Sequence, residues 1–169
     1  MPINENTNYF MDINDFFSLL DSKSNSILME TEILRNEIFP LLLNHIPKHA
    51  QIIYFDFDAW LRTYSTFHNL DQKIILINPT SMDLEQSLLS FLSWTVPSFD
   101  FLILDSLTTL YQMLDKSSDY NLTNQKFGYY FANIINLVNR INAKILISSF
   151  PITKNNYPWY KNYLGSKLM

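Results

Sequence analysis

Three carboxylates stand where apolar runs of strand length come to an end. Asp105 ends the run FLILD, and Asp56 and Asp58 close the segment QIIYFDFD. A carboxylate is costly to bury without a partner, and parallel sheets bind ligands at the carboxyl ends of their strands. These aspartates are therefore the first candidates for chemistry. The structural alternative for Asp56 and Asp58 is that each caps a neighbouring helix or pairs with a lysine.

Segments with strand and helix patterns alternate around these aspartates. The pattern predicts strands at 51–58, 74–77, 99–105 and 144–148, and helices at 27–43, from 84 up to Pro97, and at 124–142. We expect Pro40 to kink or shorten the first helix. Such alternation predicts an α/β fold, a mostly parallel sheet flanked by helices on both faces. The predicted domain covers 15–169 and follows a flexible lead-in at 1–14.

Composition narrows the class of protein. The 169 residues are 47% hydrophobic and include no cysteine, which excludes disulfides and thiolate metal sites and fits an intracellular protein. No signal-peptide layout opens the chain, and no apolar run approaches the ~18 residues of a membrane span. His45 and His49 have helical spacing, but Pro47 lies between them, so we expect no metal site. We find no nucleophile elbow for a serine hydrolase.

Charge is distributed unevenly along the chain. All 16 acidic residues lie at or before Asp119, together with six basic residues, whereas the 50 residues from Tyr120 onward contain six basic residues and no acid. A split of this kind indicates a face that binds polyanions. The alternative is that the two parts attract each other across the fold.

The C-terminal segment alternates cations with flat aromatic rings. Lysines neutralise phosphates and aromatic rings stack on single-stranded bases, so this pattern predicts DNA contact. Alternatively, the rings pack on the core or on a partner chain. The candidate DNA-binding residues are Lys154, Tyr157, Trp159, Tyr160, Lys161 and Lys167.

Taken together, these segments resemble the core of RecA-type ATPases, in particular the RadA-like recombinases and their paralogues. FLILDSLTTL resembles the Walker B strand of that family, which would put Asp105 at the position that holds the magnesium water. IIYFDFDAW is similar to the strand that ends in the catalytic carboxylate, with Asp58 where glutamate is usual. KILISSF is similar to the strand that ends in the phosphate-sensing glutamine. The resemblance covers 15–169 and implies a RecA-like core that is truncated at the C-terminus.

Departures from the family pattern point away from catalysis. A phosphate-binding loop needs glycines, a lysine and a hydroxyl residue, but Gly128 and Gly165 are the two glycines of the chain. The segment DSKSNS at 21–26 stands where that loop belongs, and Phe150 replaces the sensor glutamine. We therefore expect no hydrolysis and no cofactor. The chain is similar in kind to the P-loop-less subunits of Shu-type complexes.

The resemblance implies a non-catalytic paralogue that assists homologous recombination and DNA repair. We expect it to bind single- or double-stranded DNA and a RecA-like paralogue or recombinase as a hetero-oligomer, without membrane association. It would be nuclear in a eukaryote and cytoplasmic in an archaeon. RecA-like subunits commonly assemble by strand addition with an aromatic anchor, for which the candidates are Phe10, Phe16 and Phe17.

Two other functions remain open. One is a scaffold-only subunit of a RecA-like complex that holds partners without binding DNA. The other is a magnesium-dependent phosphatase, because FDFDAWL resembles the first motif of haloacid-dehalogenase-type enzymes, with Asp56 as nucleophile and Asp58 as general acid. However, Ala59 and Trp60 replace the usual Gly-Thr, and no acid after Asp119 can supply that family's last motif.

Overall fold

The computed structural model describes residues 24–28, 32–67, 73–93, 98–115 and 120–150. Their centre is a sheet of five parallel strands in the spatial order β1-β5-β4-β2-β3. The strands are β1 (Ser24–Leu28), β2 (Gln51–Asp56), β3 (Lys73–Ile77), β4 (Phe101–Asp105) and β5 (Lys144–Ser149). The α/β class and the parallel sheet predicted from the sequence are confirmed.

Five helices connect these strands and cover both faces of the sheet. They are α1 (Glu32–His45), α2 (Trp60–Phe67), α3 (Leu84–Ser93), α4 (Leu107–Leu114) and α5 (Tyr120–Ile141). Because side chains alternate along a strand, each strand contributes to two cores. One core joins Ile52 and Tyr54 to α1 and α2, and the other joins Ile53 and Phe55 to α3, α4 and α5. No helix in the described part of the chain is long and apolar enough to cross a bilayer.

The path of the chain creates a crevice between β2 and β4. From β2 the chain continues to β3 on one side, and from β4 it continues to β5 on the other side. Parallel sheets bind ligands at such a switch point, outside the carboxyl ends of the strands. The register pairs Asp56 with Asp105 there, so two of the candidate carboxylates close neighbouring strands.

The first predicted helix is wrong at its start. Ile27 belongs to β1, and the helix begins at Glu32. It runs through Pro40 to His45, and Phe39 and Leu42 are buried while Leu41 is 44% exposed. Packing of this face against the sheet offsets the backbone hydrogen bond that Pro40 cannot donate.

Three further differences concern the bounds and the number of the predicted elements. Residues 24–26 of the DSKSNS segment lie in β1, where they pair with β5, so these three residues are part of a strand and not of a loop that follows one. Tyr120 begins α5 four residues before the predicted start. Helix α4, capped by the Ser106 hydroxyl that accepts from the Thr109 amide, has no counterpart in the sequence-based assignment. The strands β2 to β5 lie within two residues of their predicted bounds.

Candidate functional site

Polar side chains from three strands meet at the carboxyl edge of the sheet. Asp56 ends β2, Asp58 lies in the turn that follows, Asp105 ends β4, and Ser148 lies near the end of β5. Asp56, Asp105 and Ser148 are completely buried, and the Asp58 side chain is 16% exposed. The crevice position that binds ligands in open parallel sheets is therefore filled with this protein's own polar groups.

Asp105 is held by hydroxyl groups. The Tyr54 hydroxyl donates to Oδ2 at 2.7 Å, and the Ser148 hydroxyl donates to Oδ1. The Phe57 amide donates to the Asp105 main-chain carbonyl at 2.7 Å, and the peptide bond to Ser106 is cis. These hydrogen bonds satisfy the buried carboxylate from two neighbouring strands, as a structural role for Asp105 requires.

Arg35 supplies the positive charge of the site. Its Nη1 lies 2.7 Å from Asp58 Oδ2 and 3.5 Å from Asp105 Oδ1, and its side chain is 6% exposed. Its guanidinium carbon lies 5.8 Å from the centroid of the Trp60 ring and 4.9 Å from that of Phe150. One guanidinium thus bridges two carboxylates between aromatic rings, where water screens the attraction poorly.

Asp56 acts as a cap for α2. Its Oδ2 accepts a hydrogen bond of 2.9 Å from the Arg62 amide, at the positive end of the helix dipole. In the turn between Asp56 and α2, Ala59 has a φ of 57°. The Asn78 side chain donates to the Asp56 carbonyl. The helix-capping alternative raised from the sequence is the one found for Asp56. A fully buried cap presents no oxygen to an incoming phosphoester.

Burial raises the pKa of both strand-end aspartates. For Asp105 the hydrogen bond from Ser148, the Arg35 charge and the Tyr54 hydrogen bond oppose the effect of burial without cancelling it. For Asp56 the hydrogen bonds from the backbone amides of α2 lower the pKa and so oppose the effect of burial in the same way. Burial and the nearby Asp105 also raise the pKa of Tyr54 well above its ordinary value. Both aspartates are therefore more easily protonated in the folded protein than in the unfolded chain.

The described residues offer no alternative to Arg35 as the counter-charge. Within the described ranges, no group of three or more His, Asp or Glu side chains is arranged to hold a metal ion. His45 ends α1 and His49 precedes β2, both at the amino edge of the sheet, and both are exposed. His68 lies outside the described residues.

Three residues of the sequence separate β1 from α1. Leu28 ends the strand and Glu32 begins the helix, and residues 29–31, Met-Glu-Thr, include no glycine. A Walker A motif spans eight residues with glycines at its first and sixth positions. The sequence between β1 and α1 is therefore shorter than this motif and lacks its glycines.

The other predicted site residues have different outcomes. Asp58 and Asp105 are brought together through Arg35. The candidate DNA-binding positions from Lys154 to Lys167, and the candidate partner-binding positions Phe10, Phe16 and Phe17, lie outside the described residues.

Arg35 was missed in reading the sequence. A signal was present, because Arg35 lies on the same face of α1 as two apolar residues, Phe39 and Leu42, both of which are buried. A lone arginine on an apolar stripe requires a buried anionic partner.

Comparisons with known proteins give no assignment. No protein-family model matches the chain. A search of curated proteins also finds no match.

We predict that Arg35→Met destabilises the protein by about 3–5 kcal/mol, because it leaves two buried carboxylates without their counter-charge. Urea denaturation at neutral pH measures this change. Lys126→Met is the matched control, since Lys126 Nζ lies 2.7 Å from Glu85 Oε1 in a half-exposed pair whose loss costs roughly 1 kcal/mol or less. Equal costs for the two substitutions would contradict the assignment of a buried ion pair.

The raised pKa of Asp105 predicts a pH-dependent contribution to stability. The folded state binds the proton more tightly, so this contribution is fully present below the unfolded pKa of about 3.9 and is lost as pH rises through the folded pKa. Asp105→Asn removes it. We expect the advantage of wild type over Asp105→Asn in unfolding free energy to be largest near pH 4 and to shrink as pH rises. Urea denaturation across this range tests the trend, and a difference that grows with pH refutes it.

Proposed function

We propose that this protein is a non-catalytic RecA-like paralogue that assists homologous recombination and DNA repair by binding DNA and a RecA-like partner subunit. The observation that carries the proposal is the Arg35 guanidinium between Asp58 and Asp105. It occupies the edge where an ATPase of the family holds its magnesium ion and nucleotide. The protein would act in a hetero-oligomer, in the nucleus of a eukaryote or the cytoplasm of an archaeon.

Two features of the edge support a non-catalytic role. The three-residue connection between β1 and α1 supplies no glycine-rich backbone to wrap phosphates. The carboxylates at the Walker B and catalytic positions already have a positive partner, so an incoming cation would have to displace a buried arginine. Displacement would leave the guanidinium without its anions, which is costly in a buried site.

The point where the chain leaves the sheet supports DNA contact. Phe150 follows β5 directly, at the same edge as Arg35 and Asp105. The basic and aromatic segment starts at the next residue. In the family that the sequence resembles, the segment after this strand is a DNA-contacting loop.

The outermost strand on the β2 side of the sheet, β3, supports partner binding. Among the described strands β3 lies at the end of the sheet and pairs with β2 alone. Its sequence is KIILI, and the Ile75 and Leu76 side chains are 43% and 38% exposed. An apolar edge strand is a site for strand addition by an extended segment of another chain. We assign this edge to the RecA-like partner subunit.

The DNA part of the proposal predicts that Lys154→Glu/Lys161→Glu weakens binding to single-stranded DNA. Because each lost phosphate contact removes roughly 0.7 from the slope of log K against log salt, we expect the slope to become shallower by about 1.4. Fluorescence anisotropy with a labelled oligonucleotide at several salt concentrations measures it. Double-stranded DNA is titrated in parallel.

The matched control for charge is Lys48→Glu/Lys73→Glu. It changes the net charge equally but acts at the amino edge, where Lys48 precedes β2 and Lys73 begins β3. We expect it to keep most of the wild-type affinity. Absence of wild-type binding at low salt would refute the DNA part and favour the scaffold-only function, provided that the protein still co-purifies with a RecA-like subunit.

The partner part predicts that Ile75→Lys abolishes co-purification with a P-loop-containing RecA-like protein of the same organism, because a charge on an edge strand blocks strand addition. Met82→Lys is the control, since Met82 is 96% exposed and lies in the turn before α3. Retention of the partner by Ile75→Lys would place the interface elsewhere. Unchanged thermal stability of the isolated variant would show that the loss is not unfolding.

A further inference from the structure

Strand β3 has a short apolar edge with fixed limits. Among the described strands it pairs with β2 alone, and its five residues are KIILI. The strand begins at Lys73, and Pro79, which has no amide hydrogen to donate, follows two residues after its end. An edge of this kind is a template for pairing with another chain. Its limits leave five residues for that pairing.

The side chains of β3 divide between the two faces of the sheet. Ile74 packs in the core beside α1 and α2, and Ile77 packs in the core beside α3, α4 and α5. Because side chains alternate along a strand, Lys73 and Ile75 lie on the same face as Ile77. Lys73 is exposed at the start of this face, and Ile75 is 43% exposed in its middle.

A cavity of about 400 Å³ lies at the other end of the same face, between β3 and α3. Ile77 and Phe91 give it an apolar wall, and its polar lining consists of Asp83, Gln86, Ser87 and Ser90. Among the described residues that line it, Asp83 carries the one charge. An apolar wall that leads to a carboxylate, an amide and two hydroxyl groups suits the apolar stem and the ammonium group of a lysine.

Antiparallel pairing of β3 with β3 of a second copy would bring the lysine to the cavity. All five residues pair when Ile75 lies opposite Ile75 of the second copy, and Lys73 then lies opposite Ile77. On the other face Ile74 lies opposite Leu76, which is 38% exposed. The pairing has a two-fold axis normal to the sheet, so each copy supplies one lysine and one cavity on the same face.

We propose that this protein forms a homodimer by antiparallel pairing of its β3 strands, with Lys73 of each copy in the cavity beside Asp83 of the other. The opposite charges of Lys73 and Asp83, and a register that matches itself, favour a second copy as the occupant. An interface of one strand from each copy is small, so the dimer is reversible.

The dimer covers the edge that the proposed function gives to a RecA-like subunit. The two complexes therefore exclude each other, and the homodimer is the form of the protein without its partner. The exclusion rests on the proposed function, whereas the dimer itself does not.

A single cysteine at the two-fold axis tests the register. The chain contains no cysteine, so Ile75→Cys can form a disulfide only with a second copy. Opposed Cβ atoms in an antiparallel pair lie about 4.5–5.5 Å apart, and a disulfide needs roughly 3.5–4.5 Å. We expect Ile75→Cys to cross-link about tenfold faster than Met82→Cys, the control, whose position is 96% exposed in the turn before α3. Non-reducing electrophoresis measures both rates, and equal rates would overturn the inference.

A charge exchange tests the contact between the lysine and the cavity. Lys73→Glu should raise the dimer Kd about tenfold, because two symmetric attractions become repulsions. Gln86→Lys should weaken the dimer similarly, and Lys73→Glu/Gln86→Lys should restore most of the affinity. Asp83 is left in place because its carboxylate accepts a 2.6 Å hydrogen bond from the Thr80 hydroxyl before α3.

Sedimentation equilibrium of the full chain measures these dissociation constants. Lys48→Glu is the matched control, since it makes the same charge change before β2 and should leave the dimer Kd unchanged. A double variant no tighter than Lys73→Glu would refute the placement of the lysine in the cavity.

The dimer and the proposed function fail in different ways. Wild type that stays monomeric at its highest soluble concentration refutes the dimer and leaves the proposed function unchanged. A dimer that never co-purifies with a RecA-like subunit supports the inference and refutes the partner part of the proposed function. Where both complexes form, adding the RecA-like subunit should dissociate the dimer. A complex that contains the subunit and two copies of this chain paired through β3 would refute the exclusion.

Discussion

The carboxyl edge of the sheet depends on the attraction between Arg35 and two aspartates. Three carboxylates, Asp56, Asp58 and Asp105, lie close together in a region that water hardly reaches. Without a cation, their mutual repulsion and the cost of burial would favour protonation or unfolding. One guanidinium contributes a positive charge. The carboxylates are further stabilised by the dipole of α2 and by hydrogen bonds from hydroxyl groups.

This arrangement of charges differs from what is usual at the crevice of a doubly wound sheet. Doubly wound sheets leave a crevice at the point where the strand order reverses, and ligands bind there. In this protein the crevice contains Arg35, Tyr54 and Ser148, which bind the Asp105 carboxylate instead. The same group of residues extends to Phe150, the last residue before the basic and aromatic segment. At this edge the polar groups at the ends of the strands therefore bind one another.

Much of the sheet was predictable because its strands have strong local signals. The segments that became β2, β4 and β5 are continuous apolar runs, typical of strands buried on both faces. Segments with weaker sequence patterns were not predicted correctly. SNSIL has no such run, and it forms β1 through its pairing with β5. Pro40 was expected to kink or shorten α1, but the helix continues past it to His45, and the neighbouring Phe39 and Leu42 are buried.

The sequence by itself determined the fold class, the strand-end positions of Asp56 and Asp105, and the shortage of glycine that argues against a phosphate-binding loop. These properties depend on local composition and short spacing. Only the tertiary structure decided which partner each carboxylate has, because Arg35 reaches Asp58 and Asp105 from an element distant in sequence. It also decided that Asp56 caps a helix whereas Asp58, two residues later, forms an ion pair. The physical reason is that burial and pairing are properties of the packed chain, and no short segment of sequence contains them.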